Sequence, residues 1–239
     1  MTHARSLCTM LWVASLAAGL AWSGASFATT TVKGTVQLPA ELQAGRRFLG
    51  HWRVANTSVA TLPPNLRGGT VVILTGLPYQ AVPPKTVSVE ISGYQAKPAT
   101  VVVSEGTVVE FKNSDKEAYD LSTPAHPQVM PPQRLGAGAI RKQRFGAKGE
   151  YLVRCTEYPH IVVAVIVTNT PHFGVVDDRG AFRISEVPVG HTTLKVWSGD
   201  RWVKEAEVDV PARGLDLTVK VPSTNNDADP LETTKENAE

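Results

Sequence analysis

Cys155 and His160 are the two residues whose types and spacing best suit chemistry, in the run Cys155-Thr-Glu-Tyr158-Pro-His160-Ile161. A thiolate is a soft ligand and an imidazole a borderline one, so together they suit copper in both of its oxidation states. A lone thiol in an oxidising compartment must be buried, ligated or used. The plain alternative is a buried cysteine that acts as a small apolar filler, which is common. Two more candidate donors, His126 and Met130, lie in a Pro-rich stretch upstream. Cys155, His160, His126 and Met130 would form a chemically suitable copper set if that stretch folded onto the cysteine. An exposed loop histidine is the competing reading of His126. His51, His172 and His191 fall at no defensible ligand spacing.

The elements that must position this run are β-strands. Glu150 to Arg154 and Ile161 to Val167 read as strands, with the candidate donors on the loop between them. Further strand candidates are Val32 to Leu38, Thr70 to Thr75, Thr86 to Ile91, Thr100 to Val103, Thr107 to Lys112 and Ala139 to Phe145. Residues 39–68 and Asn113 to Gly138 read as long irregular excursions, the second holding Pro124, Pro127, Pro131 and Pro132. Loops of that length usually carry function or are disordered. From Phe173 the pattern changes. An Asp-Arg-Gly turn, an alternating strand, a Pro-Val-Gly turn and another alternating strand precede strands at Val203 to Val210 and Leu215 to Val221. Thr224 to Glu239 is polar and acidic and reads as a disordered tail.

The first 28 residues read as a secretory signal peptide. Arg5 is the positive start, Leu7 to Trp22 the apolar stretch, and Ser26-Phe27-Ala28 the small-residue cleavage site. Of the two cysteines in the 239-residue chain, Cys8 falls in this segment, which leaves Cys155 without a disulfide partner. Export implies a periplasmic or extracellular setting. The remaining chain, roughly 210 residues, is enough for one large or two small domains. The 17 Pro, 19 Gly and abundant Val and Thr point to an all-β fold, with no membrane span after the signal. A net charge of +2 gives no reason to expect nucleic acid or an anionic membrane as partner. Arg134, Arg141, Lys142, Arg144, Lys148 and Arg154 gather in one stretch that could dock an acidic partner, though alternating charge on an exposed strand face explains them as well. Trp52, Trp197 and Trp202 are too scattered to read as one glycan-binding surface. There is no Ser/His/Asp set, no paired-carboxylate pattern and no phosphate loop, so a non-enzyme is expected.

Two segments carry family resemblances. Val108-Val-Glu-Phe111-Lys-Asn113-Ser-Asp115-Lys-Glu-Ala-Tyr119-Asp120-Leu121 resembles the plastocyanin and amicyanin segment that ends in His-Asn-Val. Gly149-Glu-Tyr151-Leu-Val-Arg-Cys155 resembles the strand leading to their copper cysteine. Residues 85–168 are thereby similar to cupredoxins, which implies a Greek-key β-sandwich and a blue-copper site of two imidazoles, a thiolate and a weak axial thioether. Against the amicyanin loop Cys-Thr-Pro-His-Pro-Phe-Met, the resemblance places the thiolate at Cys155, one histidine position at Tyr158 and the axial methionine at Ile161. The upstream histidine position falls on Tyr119. Tyrosine is a poor replacement because its phenol ionises only near pH ~10. The resemblance thus implies a degenerate metal site at Tyr119, Cys155, Tyr158 and Ile161. Cys155-x4-His160 matches the spacing of azurin-type loops and supports the alternative set with His126 and Met130.

Residues 173–221, with Asp-x-x-Gly-x-Phe-x-Ile, Val-Pro-x-Gly and Leu-x-Val, resemble the carboxypeptidase regulatory-like domain, a prealbumin-type sandwich. Its opening strands resemble Val32-Lys-Gly-Thr-Val and Thr70-Val-Val-Ile-Leu. The expected organisation is a signal peptide at 1–28, the first strands and loop of the regulatory-like unit at 29–84, and a cupredoxin-like unit at 85–168. The rest of the regulatory-like unit follows at 169–223, and a tail at 224–239. The expected role is an exported interaction or scaffold module with no cofactor and an unidentified protein partner in the cell envelope. Periplasmic copper binding or electron transfer through Cys155 is the alternative.

Overall fold

The computed structural model describes residues 28–39, 69–77 and 82–222. The expected signal peptide, most of the 39–68 excursion, Trp52 and the acidic tail lie outside the described residues. Sixteen strands and no helix are seen among those described. In chain order they are β1 Thr29–Gln37, β2 Val71–Thr75, β3 Val87–Ser92, β4 Gln95–Lys97, β5 Thr100–Val103, β6 Thr107–Asn113, β7 Tyr119–Ser122 and β8 Gln133–Leu135. There follow β9 Ile140–Phe145, β10 Gly149–Cys155, β11 Val162–Val167, β12 Phe173–Val175, β13 Ala181–Pro188, β14 Gly190–Ser198, β15 Arg201–Val210 and β16 Leu215–Lys220.

Alternation explains most of these elements. In β6 the side chains of Thr107, Val109, Phe111 and Asn113 are buried while their neighbours are not, the period-2 pattern of a strand with one face on a core. β11 is buried almost throughout, so both of its faces must be covered. One face, through Val163, Val165 and Val167, joins the core built from β3, β5, β6, β7 and β10. The other, through Ala164 and Ile166, packs against Val71, Ile73 and Trp197.

β3 to β11 form two sheets, ordered β4-β3-β6-β9 and β5-β11-β10-β7-β8. Their inward faces share one core that includes Phe111, Tyr119, Leu121, Met130, Cys155 and Ile161. β1 lies between β13 and β16, and β2 between β12 and β14, with β15 at the edge beyond β14. Val32, Val36, Val72, Leu74, Phe182, Ile184, Leu194 and Val196 make the core of this second pair of sheets. Among the described residues, β1 and β2 enter one sandwich, β3 to β11 build the whole of another, and β12 to β16 complete the first.

The structure corrects the reading of 113–138 as one irregular excursion. It contains β7 and β8, paired as Tyr119↔Leu135 and Leu121↔Gln133. Between them the chain turns tightly, with His126 N donating to Thr123 O at 2.9 Å and Thr123 N to Met130 O at 3.0 Å. Strand β4, unforeseen in the sequence, closes a hairpin with β3 through Gly93 and Tyr94. The basic cluster is not a single face, because Arg141 is buried and donates to Leu121 O at 2.7 Å and Pro131 O at 2.8 Å. Trp197 is likewise buried, packing edge-on against Trp202 with ring centroids 5.2 Å apart.

Candidate functional site

β7 and β10 run antiparallel with Cys155 opposite Leu121. The loop after Cys155 is closed by three backbone bonds: Thr156 N to Asp120 O, Ile161 N to Tyr158 O, and Cys155 N to Ile161 O. Cys155 is buried, and its thiol faces the Glu157 carboxylate, Sγ to Oε2 at 3.5 Å. Burial pushes the thiol pKa up, backbone amides of the loop oppose that, and Glu157 adds to it. The group is therefore held as a neutral thiol, the less reactive and less ligating form.

Tyr119 is fully buried, and its hydroxyl donates to Asp115 Oδ2 at 2.5 Å. Burial and the adjacent Asp115 carboxylate both push its ionisation far above the usual phenol range. Tyr158 packs against it with centroids 5.4 Å apart and planes at 72°. A third ring, Tyr94, contacts both, at 6.4 Å from Tyr119 and 5.2 Å from Tyr158. Burial, with the nearby Glu117 carboxylate, pushes the Tyr94 phenol pKa up. His160 packs beside Tyr158 at 6.2 Å, and its Nε2 lies 3.1 Å from Tyr94 O. Burial lowers the pKa of His160 and favours the neutral ring.

Sequence reasoning missed Tyr94 as part of this site. The β3–β4 turn places it, with Gly93 at φ 59° and Tyr94 at φ 60°. Two successive left-handed residues make a tight hairpin turn matched to the sheet twist. A tyrosine in that region is uncommon and costs free energy. Asp115 offsets the cost by accepting from Gly93 N at 2.8 Å and Tyr94 N at 3.1 Å. Burial alone would raise the Asp115 pKa, but the hydrogen bonds from Tyr119, Gly93 and Tyr94 outweigh it and hold the carboxylate charged. Asn113 sets the loop that carries Asp115. Its Nδ2 lies within hydrogen-bond distance of Glu117 O, Leu135 O and Gly136 O, and its Oδ1 accepts from Asp115 N. The available sequence signal for Tyr94 was the Ser-Gly-Tyr-Gln turn after an alternating strand.

The other expected donors lie elsewhere. His126 packs on Tyr151, with ring centroids 5.1 Å apart. Tyr151 is four residues before Cys155 on the same strand, about 13 Å along it at ~3.3 Å per residue. Among the described residues no three His, Cys, Asp or Glu side chains gather in a way that could hold a metal ion, so Cys155, His160 and His126 do not form one ligand group. Met130 is buried in the core. Ile161 is buried and offers no donor. The fit to copper is poor. One neutral thiol beside a carboxylate, two phenols packed ring to ring and an aliphatic side chain replace the thiolate, two imidazoles and thioether that a blue-copper centre needs.

No protein-family model matches the chain, and no curated protein matches it. Among solved structures, amicyanin from Paracoccus versutus (Thiobacillus versutus) is 19% identical over 41% of this chain and 97% of its own, with a TM-score of 0.32. A purple cupredoxin from Nitrosopumilus maritimus is 19% identical over 34% of this chain and 99% of its own, with a TM-score of 0.30. A copper-containing nitrite reductase from Thermus scotoductus SA-01 is 24% identical over 40% of this chain, with a TM-score of 0.32. The chain spans 25% of that enzyme's length. The resemblance of residues 173–221 to the regulatory-like domain finds no support in these comparisons.

Proposed function

We propose that residues 85–168 are a cupredoxin-like module whose type 1 copper site has degenerated, and that the protein is an exported, non-enzymatic interaction or scaffold module. The regulatory-like unit, 29–84 with 169–223, would present it to a protein partner in the cell envelope. The observation that carries this reading is the packing of Tyr119 and Tyr158 against each other at 5.4 Å, the two residues to which the sequence resemblance assigns the family's imidazoles. Each ring fills space and neither offers a nitrogen donor. Fold resemblance alone does not bring the family's chemistry with it.

The test is titration of the purified protein with Cu(II) while watching for the intense thiolate-to-copper absorption. The expected result is none. The triple variant Tyr119→His, Tyr158→His, Ile161→Met supplies the missing donors around a cysteine already in place and is expected to gain the band. Strong blue colour in the unmodified protein, abolished by Cys155→Ser, would overturn the degenerate-site reading. It would mean that Cys155 and His160 reach further donors only after a rearrangement of the loops around them.

A further inference from the structure

We propose that Tyr94, Tyr119 and Tyr158 form a metal-free one-electron relay, with Tyr119 as the buried donor and Asp115 as the acceptor of its phenolic proton. The inference rests on the metal-free reading of the same site. Three of the chain's five tyrosines meet here, every pair in ring contact at 5.2 to 6.4 Å. Tyr119 is fully buried, whereas Tyr94 and Tyr158 are half-buried and connect it to the surface. One of the three phenols, the buried one, is bonded to a carboxylate, Tyr119 to Asp115 at 2.5 Å.

That pairing matters because a phenol that loses an electron becomes a strong acid. A hydrogen-bonded carboxylate takes the proton without any rearrangement of the chain, so no buried radical cation need persist. The balance is closed. An outer-sphere one-electron oxidant at the surface receives an electron, passed from the Tyr119 ring through Tyr158 or Tyr94. The Tyr119 O–H bond breaks, its proton moves to Asp115 Oδ2, and a neutral tyrosyl radical remains beside a protonated Asp115. Tyr151 provides the internal contrast. Its hydroxyl donates to the Ala147 carbonyl at 2.9 Å, a neutral acceptor that is a far weaker base.

The experiment uses the purified, chelator-treated protein and photogenerated tris(bipyridine)ruthenium(III) as oxidant, with the tyrosyl radical followed by transient absorbance and electron paramagnetic resonance. A tyrosyl signal is expected, reduced severalfold by Tyr119→Phe, which keeps the ring, and unaffected by Tyr151→Phe. Its rate of formation should fall in Asp115→Asn. In the wild-type protein it should also fall once the pH drops below the usual carboxylate range, where Asp115, held charged by its hydrogen bonds, takes up its own proton. Because Asp115 also anchors the Gly93–Tyr94 turn, the pH profile in unaltered protein guards against a variant that merely misfolds. A signal that survives intact in Tyr119→Phe, or a formation rate indifferent to both pH and Asp115→Asn, would overturn the relay. The metal-free reading fails separately, if Cu(II) produces the blue band before any oxidant is added.

Discussion

At the scale of single residues, the site is organised by a side chain that carries no chemistry of its own. Asn113 is completely buried; its Oδ1 accepts from Asp115 N, and its Nδ2 lies within hydrogen-bond distance of Glu117 O in the same loop and of Leu135 O and Gly136 O at the end of β8. Leaving buried backbone groups unpaired costs ~1–3 kcal/mol each, more than one ordinary hydrogen bond contributes. Asn113→Ala should therefore destabilise the protein by on the order of 3 kcal/mol, checked by denaturant unfolding. A loss below ~1 kcal/mol would mean that water or a shifted loop replaces the amide. The strands on either side of the Cys155–Ile161 loop, β10 and β11, were legible in the sequence from their alternation and β-branched residues. Tyr94 was not, since it comes from a different sheet and only the folded hairpin brings it over Tyr158. The placement of His126 on Tyr151 was equally hidden, because it depends on how the 123–130 turn closes.

At the scale of elements, long alternating strands such as β6, β13 and β14 announced themselves by period. The three-residue strands β4 and β8 did not, since so few residues carry no periodic signal and their pairing is set by partners distant in sequence. Close approach between strands is another feature that composition hides. β1 and β16 run parallel, with Gly34 opposite Leu217. A Cβ built on Gly34 would sit 2.0 Å from the Leu217 carbonyl oxygen. The obstacle is backbone, so relief requires the two strands to part. Gly34→Ala should cost ~1–3 kcal/mol, the range for overpacking a tight site, and lower the melting temperature. Gly146→Ala is the control, since a Cβ there meets nothing within 4 Å, and it should melt within error of wild type. Equal melting of the two variants would show that the β1–β16 ladder is looser than its register implies.

At the scale of the molecule, the question is whether the two sandwiches unfold as one. Their outer sheet faces meet through Val71, Ile73 and Trp197 on one side and Ala164 and Ile166 on the other, with Phe173, Trp202, Val102 and Leu152 packed around them. Polar contacts flank this seam. Trp202 Nε1 donates to Glu150 Oε1 at 2.9 Å, and Arg154 pairs with Asp200 at 3.5 Å. The ion pair is about a third exposed on both sides and is worth ~0–1 kcal/mol. Burial of an indole ring outweighs it, since truncating a buried Trp to Ala typically costs ~3–5 kcal/mol. The seam is therefore held by apolar packing, with the charged pair marking its edge. One calorimetric transition is expected for the wild-type protein. Trp197→Ala should lower its temperature and broaden or split it, whereas Arg154→Ala should leave a single peak nearly in place. Two resolved transitions in the wild type would mean that the seam does not couple the sandwiches. The sandwich of β3 to β11 would then be a guest tethered only by its chain ends.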